Sequence, residues 1–415
     1  MIITSIYNSA LLAQASYADG LTVGSTGGLL ESQLVDLNLN QNDVGDANGV
    51  SQAQAAYIAS NFEVIYQQET TANGFSATLF QKTSGEYYLA LRGTDGFSPD
   101  WTEANWGNIV DGLSREQIVD MVNFYVRLVS SGTVNQYQWN ESTGQVDVVS
   151  TVSGLNVISP TDKLVVTGHS LGGHLASMFA LLFPNVGEET YTFNSAGFIA
   201  AFSIGSDKIN DFFLELSDAV VEVSVSHYPG APNNVTDVTA PEDIVSHFGS
   251  HIGQSIEVEV ESLGGATNIV EDHAIDRLSD SLAVINFMST LDPTITIEKA
   301  NSIFLSVFHD MAMSLESLMN SFAQLFNQPA IEAADGDHDV IYSTIDTIIS
   351  GLGSATYNIE FISEDIANLA AKDTVAGRGY RYALVNLLPF AITSNLTGTA
   401  ADDPKYDIDN FSTAY

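Results

Sequence analysis

The run Lys163-Leu164-Val165-Val166-Thr167-Gly168-His169-Ser170-Leu171-Gly172-Gly173-His174-Leu175-Ala176-Ser177-Met178-Phe179-Ala180-Leu181-Leu182-Phe183 decides the fold. Its first third is apolar and β-branched, which predicts a buried strand. Its last third carries apolar residues at helical spacing. Between them stands Gly-x-Ser-x-Gly. Strand, Gly-x-Ser-x-Gly and helix in that order are the context of a nucleophile elbow, a turn so tight that only glycine fits on both sides of the serine. Such a turn lifts the serine hydroxyl above the sheet edge and aims the next backbone N–H at an incoming carbonyl oxygen. The pentapeptide alone is weak evidence; its flanks carry the reading.

Outward from that stretch, strands and helices alternate. Residues 5–18 read as a helix, 21–30 and 36–49 as loops, and Val50–Ser60 as a second helix. Phe62–Glu69 and Phe75–Lys82 alternate with period two and are joined by Ala72-Asn73-Gly74, a hairpin signal. Glu86–Arg92 is a third strand. Arg115–Val129 places Ile118, Val122, Tyr125 and Val129 on one helical face. After the elbow, Tyr191-Thr192-Phe193, Val220–Val225 and Ile256–Val260 read as strands, and Ala274–Met288 as a helix. An antiparallel start followed by β/α alternation predicts an α/β domain with a mixed sheet over residues 1–290. Residues 291–395 carry helical patterns at 297–326, 339–350, 362–371 and 379–391 with little strand signal. They are expected to form a helical extension that packs on the domain or acts as a lid. Residues 396–415 read as a polar tail.

Composition narrows the function. The chain has 415 residues, 45% apolar, enough for a substantial core. No apolar run is long enough to span a membrane. Acidic residues number 51 against 12 basic, a net charge of −39. With no basic footprint, nucleic acid is excluded as an expected partner. An anionic membrane would repel the chain unless a cation bridges the two. There are no cysteines. That absence, the acidity and an N-terminus without a basic n-region fit one-step export from a bacterium without a cleaved signal, so a secreted, extracellular location is expected. They fit an intracellular protein of a halophile equally well.

Four motifs act as a set: Ala90-Leu91-Arg92-Gly93-Thr94, Gly168-His169-Ser170-Leu171-Gly172-Gly173, Tyr191-Thr192-Phe193-Asn194-Ser195-Ala196-Gly197, and Asp243-Ile244-Val245 with His251-Ile252-Gly253. Over residues 5–290 the chain resembles the lipase class 3 (fungal-lipase-like) group of α/β-hydrolases. It is most similar to the lipase and phospholipase head domains of bacterial repeats-in-toxin proteins. Tyr380-Arg381-Tyr382-Ala383-Leu384 with Pro389-Phe390 resembles the helix that closes such head domains. The glycine-aspartate calcium repeats of those proteins are missing, and the acid loop is unusually long. The resemblance implies an α/β-hydrolase fold with a central mixed, mostly parallel sheet, plus a helical C-terminal extension. It also implies an ester hydrolase.

A serine hydroxyl needs a histidine to take its proton and a carboxylate to orient that histidine. In α/β-hydrolases the chain order is serine, acid, histidine. That order sets aside His169 and His174 and leaves His227, His247, His251, His273, His309 and His338. The acid belongs in the loop after the strand expected at Val220–Val225, which offers Asp237 and Asp243. The resemblance favours Asp243, which precedes Ile-Val and then the His-hydrophobic-Gly turn; Asp237 otherwise reads as a turn residue capping its own backbone. His273 follows Glu271-Asp272 and opens a helix, the placement of the family's base. His251 reads as a structural turn residue, His247 as solvated and His309 as a packing or surface residue. The resemblance puts the oxyanion donors at Thr94 and Leu171.

Residues 97–113 hold Trp101 and Trp106 directly after Thr94, where family lids sit; packing onto the core is the plain alternative. Residues 303–326, with Met311, Met313 and Met319, read as core or as a second lid. No cofactor is required for the chemistry. Structural calcium is conceivable at Asp36-Leu37-Asn38-Leu39-Asn40, which starts like an EF-hand loop but lacks its glycine and glutamate, or at Asp335-Gly336-Asp337-His338-Asp339. The expected partner is a lipid or other hydrophobic ester at an interface. The competing functions are phospholipase A1 and, from another class, a non-catalytic head domain that binds lipid or a partner.

Overall fold

The computed structural model describes residues 2–39, 49–93, 114–198, 206–225, 234–247, 249–261, 273–310, 313–326, 328, 338–352, 357–362, 366–372 and 374–394. In chain order its first elements are α1 (Ile2–Ala15), α2 (Gly27–Leu39), α3 (Gln52–Asn61), β1 (Phe62–Gln68), β2 (Ala77–Lys82), β3 (Tyr87–Leu91) and α4 (Arg115–Val129). The hairpin β4 (Thr133–Asn140) and β5 (Gln145–Ser153) follows, then β6 (Leu164–His169), α5 (Leu171–Leu182), β7 (Gly187–Phe193) and α6 (Ser206–Ala219). Next come β8 (Val235–Thr239), β9 (Gln254–Glu257), α7 (Ile275–Leu291), α8 (Ile297–Leu305) and α9 (Leu315–Leu325). The last are α10 (His338–Gly351), β10 (Tyr357–Phe361), α11 (Ile366–Ala370), α12 (Val375–Val385) and β11 (Phe390–Ser394).

Two compact units emerge. One comprises Asn8–Glu257 with Gly264–Leu278; the other comprises Met1–Tyr7, Val258–Leu263 and Ser279–Tyr415. Among the described residues, the first unit holds a seven-stranded sheet in the order β1-β2-β3-β6-β7-β8-β9. β1, β2 and β3 pair antiparallel; β3-β6, β6-β7, β7-β8 and β8-β9 pair parallel. This is an α/β-hydrolase fold with a mixed, mostly parallel sheet.

The sequence accounts for the central layer. β6 is buried along its whole length, as its continuous β-branched run requires when both faces are covered. α5 is also buried on every side. α4 turns Ile118, Val122, Tyr125 and Val129 into the core, where Tyr125 meets Phe179 and Phe183 of α5. At the turn after β1, Gly74 adopts φ 85 and Thr71 bonds to Phe75 across the loop.

Several local expectations are corrected. Val220–Val225 is not a strand. Val220 N–H bonds to Leu216 O and Val223 N–H to Val220 O, so a tight turn follows α6 and leaves Val221 95% exposed. The strand that joins β7 is β8, further on. Helix α2 takes in residues 27–30 and 36–39 of the expected early loops. α6 and the β4–β5 hairpin stand where no element was expected, and residues 291–394 include the antiparallel pair β10–β11. In that second unit, Ile303, Phe304, Leu315, Leu318, Met319 and Phe322 are buried, which favours a packing role for this Met-bearing stretch. Phe322 stacks on Phe390 at 4.6 Å and meets Phe287 edge-on at 5.2 Å. Asp292 accepts from Thr294 and from the Ile359 N–H, tying the end of α7 to β10. No helix among the described residues is long and apolar enough to cross a membrane.

The start of α5 packs directly on the end of β3. A Cβ on Gly172 would lie 2.1 Å from Leu91 O and 2.8 Å from Arg92 C, both backbone atoms. We expect Gly172→Ala to lower stability by about 1–3 kcal/mol or more, because backbone there cannot yield cheaply. Gly187→Ala, whose nearest neighbour would be 3.6 Å away, should be much milder. Equal urea midpoints for the two variants would contradict this packing.

Candidate active site

Ser170 sits between β6 and α5 with φ 56 and ψ −124, a conformation that ordinary side chains avoid. Three backbone bonds hold it: its N–H donates to Phe193 O at 3.0 Å, and its carbonyl accepts from His174 N at 3.2 Å and Ala196 N at 3.3 Å. Glycine makes the turn possible. A Cβ on Gly168 would stand 2.2 Å from Gly172 O. The first residue of α5 is Leu171, so its N–H belongs to the first-turn amides that have no intrahelical acceptor.

His273 approaches from just before α7. Its Nε2 lies 2.7 Å from Ser170 Oγ and its Nδ1 lies 2.9 Å from Asp243 Oδ1. The carboxylate can only accept, so Nδ1 carries the proton; Nε2 of the neutral ring then accepts from the serine hydroxyl. Asp243 is fully buried. Its Oδ1 also accepts from Val245 N at 3.1 Å, and Oδ2 accepts from Ser246 N at 2.9 Å. The carboxylate therefore caps the short 3-10 turn Val245–His247 while it faces His273. Burial by itself pushes the Asp243 carboxyl up; the adjacent His273 and the bonds from His273 and Ser246 outweigh it and hold the group below its ordinary value.

A second layer fixes His273 from behind. The His273 carbonyl accepts from His169 Nε2 at 2.8 Å and from Asn194 Nδ2 at 3.3 Å. Because Nε2 of His169 donates there, its Nδ1 accepts from the Tyr17 hydroxyl at 2.8 Å. Burial, then the neighbouring His273, lowers the His169 pKa to about 3, so this ring stays neutral beside the base. Asn194 also accepts from Ala240 N at 2.9 Å with its side-chain oxygen. One amide thus ties the root of the acid loop to the backbone of His273.

The structure brings Ser170, Asp243, His273 and Leu171 together. Thr94, His227 and residues 97–113 lie outside the described residues. Asp237 is not a turn residue. It stands inside β8, buried, with Oδ2 2.9 Å from His251 Nδ1 and Oδ1 accepting from Thr192 Oγ1 at 2.5 Å. Its two oxygens are thus directed to residues other than His273. His247 is exposed, and its Nδ1 lies 2.5 Å from the Asp243 carbonyl, to which it donates. His309 is exposed as well. Of the calcium candidates, Asp36–Leu39 close α2, whereas Asn40 and Asp335–Asp337 lie outside the described residues. Among the described residues no group of three or more His, Cys, Asp or Glu side chains is arranged to hold a metal ion.

Residues 88–251 match the family model of class 3 lipases. That stretch contains Ser170 and Asp243 and ends before His273. Among solved structures, similarity is found to the Lip2 lipase of Yarrowia lipolytica at 17% identity, covering 62% of this chain and 78% of that one with a TM-score of 0.28. A triacylglycerol lipase of Penicillium expansum is similar at 13% identity, with coverages of 62% and 79% and a TM-score of 0.28. Rhizomucor miehei lipase in its propeptide complex is similar at 14% identity, with coverages of 67% and 76% and a TM-score of 0.27. No curated protein matches.

Tyr17, Asn194 and the Asp237–His251 pair escaped sequence reasoning. Asn194 and His251 carried a signal, through their places in Phe193-Asn194-Ser195-Ala196-Gly197 and His251-Ile252-Gly253, but neither motif shows what the side chain bonds to. Neutral burial of His169 has a measurable consequence. Its folded pKa lies near 3 against an ordinary 6.5, so between those values the unfolded chain binds a proton that the native chain refuses. Stability should therefore fall as pH drops through this window. In His169→Gln the dependence of unfolding free energy on pH between 6 and 4 should be shallower by about one proton. Identical slopes in the two proteins would show that His169 takes up its proton in the native state.

Proposed function

We propose that this chain is a serine-dependent carboxylic ester hydrolase acting on lipid esters, a triacylglycerol lipase or carboxylesterase. The observation that carries the reading is one imidazole, His273, bonded at once to Ser170 Oγ and to the buried Asp243. Ser170 Oγ attacks the ester carbonyl carbon as its proton passes to His273 Nε2. Asp243 holds the ring in the required tautomer and stabilises the imidazolium that forms. The Leu171 N–H, at the start of α5, receives the developing oxyanion, with Thr94 as the second donor implied by the family resemblance. Collapse breaks the C–O bond, and the alcohol leaves with the proton from Nε2. Water then attacks the acyl-serine by the same relay. No cofactor enters these steps.

The lipid substrate is supported by the class 3 lipase match over residues 88–251. A net charge of −39 disfavours anionic headgroups unless calcium bridges them, which puts phospholipase A1 second. Acidity and the lack of cysteine fit an exported bacterial protein of the kind that carries repeats-in-toxin head domains.

Ser170→Ala should retain the fold and lose hydrolysis of p-nitrophenyl esters by at least about 10³-fold in kcat. Asp243→Asn should cost about 10⁴-fold, by leaving His273 in the wrong tautomer. Near-normal turnover in purified Ser170→Ala would end this reading. Initial rates on triglyceride emulsions against phospholipid vesicles, with and without calcium, separate the two lipid substrates; binding without turnover of any ester would instead leave a lipid-binding domain.

A further inference from the structure

The loop that carries Asp243 leaves the sheet at the end of β8 and returns just before β9. Something must hold its neck, because Asp243 acts only while it faces His273. Two ties hold its backbone: the Asn194 side-chain oxygen accepts from Ala240 N, and Phe198 pairs with Ser250 in an isolated bridge. The third tie is between side chains. Asp237 on the outgoing strand meets His251 on the returning chain at 2.9 Å.

The placement is specific. Asp237 pairs in register with Thr192 of β7 and Ser255 of β9, and its side chain is 4% exposed. Thr192 Oγ1 orients the carboxylate from the neighbouring strand. Behind His251 the chain turns sharply at Gly253, with φ 91, where a Cβ would stand 2.3 Å from Val235 O. That turn sets His251 opposite Asp237. A buried ion pair is weak evidence of stability, since well-packed apolar side chains often serve a core as well or better. What it supplies is a defined geometry, and here the geometry lies between the two ends of the acid loop.

We propose that Asp237 and His251 are positioning residues: an ion-paired clamp that closes the acid loop and keeps Asp243 in line with His273. This rests on the catalytic reading of Ser170, His273 and Asp243. The groups facing His251 are Asp237 from β8, and Asp243 and the Ser246 carbonyl from the loop. Burial alone would push the imidazole down; the bond and charge of Asp237, then Ser246 and Asp243, outweigh it and raise the pKa above 6.5. A group with a raised folded pKa stabilises fully below its unfolded value and loses that contribution as pH rises through the folded value. The clamp is therefore tight in mild acid and loosens on the alkaline side.

The test uses the full chain and three variants, Asp237→Asn, His251→Ala and His251→Gln. Turnover of a soluble, uncharged p-nitrophenyl ester is followed from pH 6 to 9, and hydrogen exchange is followed in the peptide containing Asp243. In Asp237→Asn and His251→Ala, kcat should fall about ten- to hundredfold with KM changed less than about twofold, as expected when a reacting group is misplaced and not lost. Exchange should quicken in the Asp243 peptide and not in β6. His251→Gln, which keeps a donor for Asp237, should recover most of kcat at pH 7 and lack the alkaline fall expected of wild type. Unchanged kcat with unchanged exchange overturns the clamp, and so does faster exchange spread evenly over the sheet. If wild type hydrolyses no ester, the catalytic reading fails, and the exchange measurement still decides whether Asp237 and His251 hold the loop.

Discussion

The site depends on one backbone constraint: Ser170 is held at φ 56 between a strand that ends one residue before it and a helix that begins one residue after it. Such a conformation costs of order 1–3 kcal/mol and persists only where neighbours over-determine it. Here Phe193, His174 and Ala196 bond to its backbone, and Gly168 and Gly172 remove the side chains that would collide. The consequence is geometric. The hydroxyl stands clear of the sheet edge, and the next amide stands beside it at a helix N-terminus.

His273 and Asp243 come from separate segments, and the molecule joins them through backbone atoms. His169, the neighbour of Ser170, donates to the carbonyl of His273. Asn194 bonds that same carbonyl and the start of the acid loop. Any shift of β7 therefore moves both partners together. Burial supports this arrangement: a neutral His169 brings no charge near the base, while Asp243 remains an anion because His273 and two backbone amides satisfy it.

What the sequence made legible follows from how local each signal is. The elbow is written in consecutive residues, and the periodicity of β6 and α4 needs no partner to be read. The order serine, acid, histidine narrowed the site to a few residues, and a motif match favoured Asp243. Asp237 was misread because a lone aspartate near asparagine and threonine resembles a turn; only its pairing with β7 and β9 reveals a strand. Val220–Val225 has strand-like alternation, yet it opens with a tight turn that follows α6 and pairs with no strand among the described residues. No helix was expected at α6, although Ile209, Phe212, Phe213 and Leu216, all buried, stand at helical spacing there. Tyr17 lies far from His169 in sequence, so no local pattern could link them. β10 and β11 escaped for the same reason, since 28 residues separate the end of one from the start of the other.

Ser170, activated through His273, is the proposed nucleophile. Intact-mass and peptide analysis after reaction with an alkyl fluorophosphonate tests it directly. One adduct per folded chain is expected, on the peptide containing Ser170, with labelling slowed severely in His273→Ala. Labelling at another residue, or a Ser170 adduct that forms equally fast without His273, would contradict it.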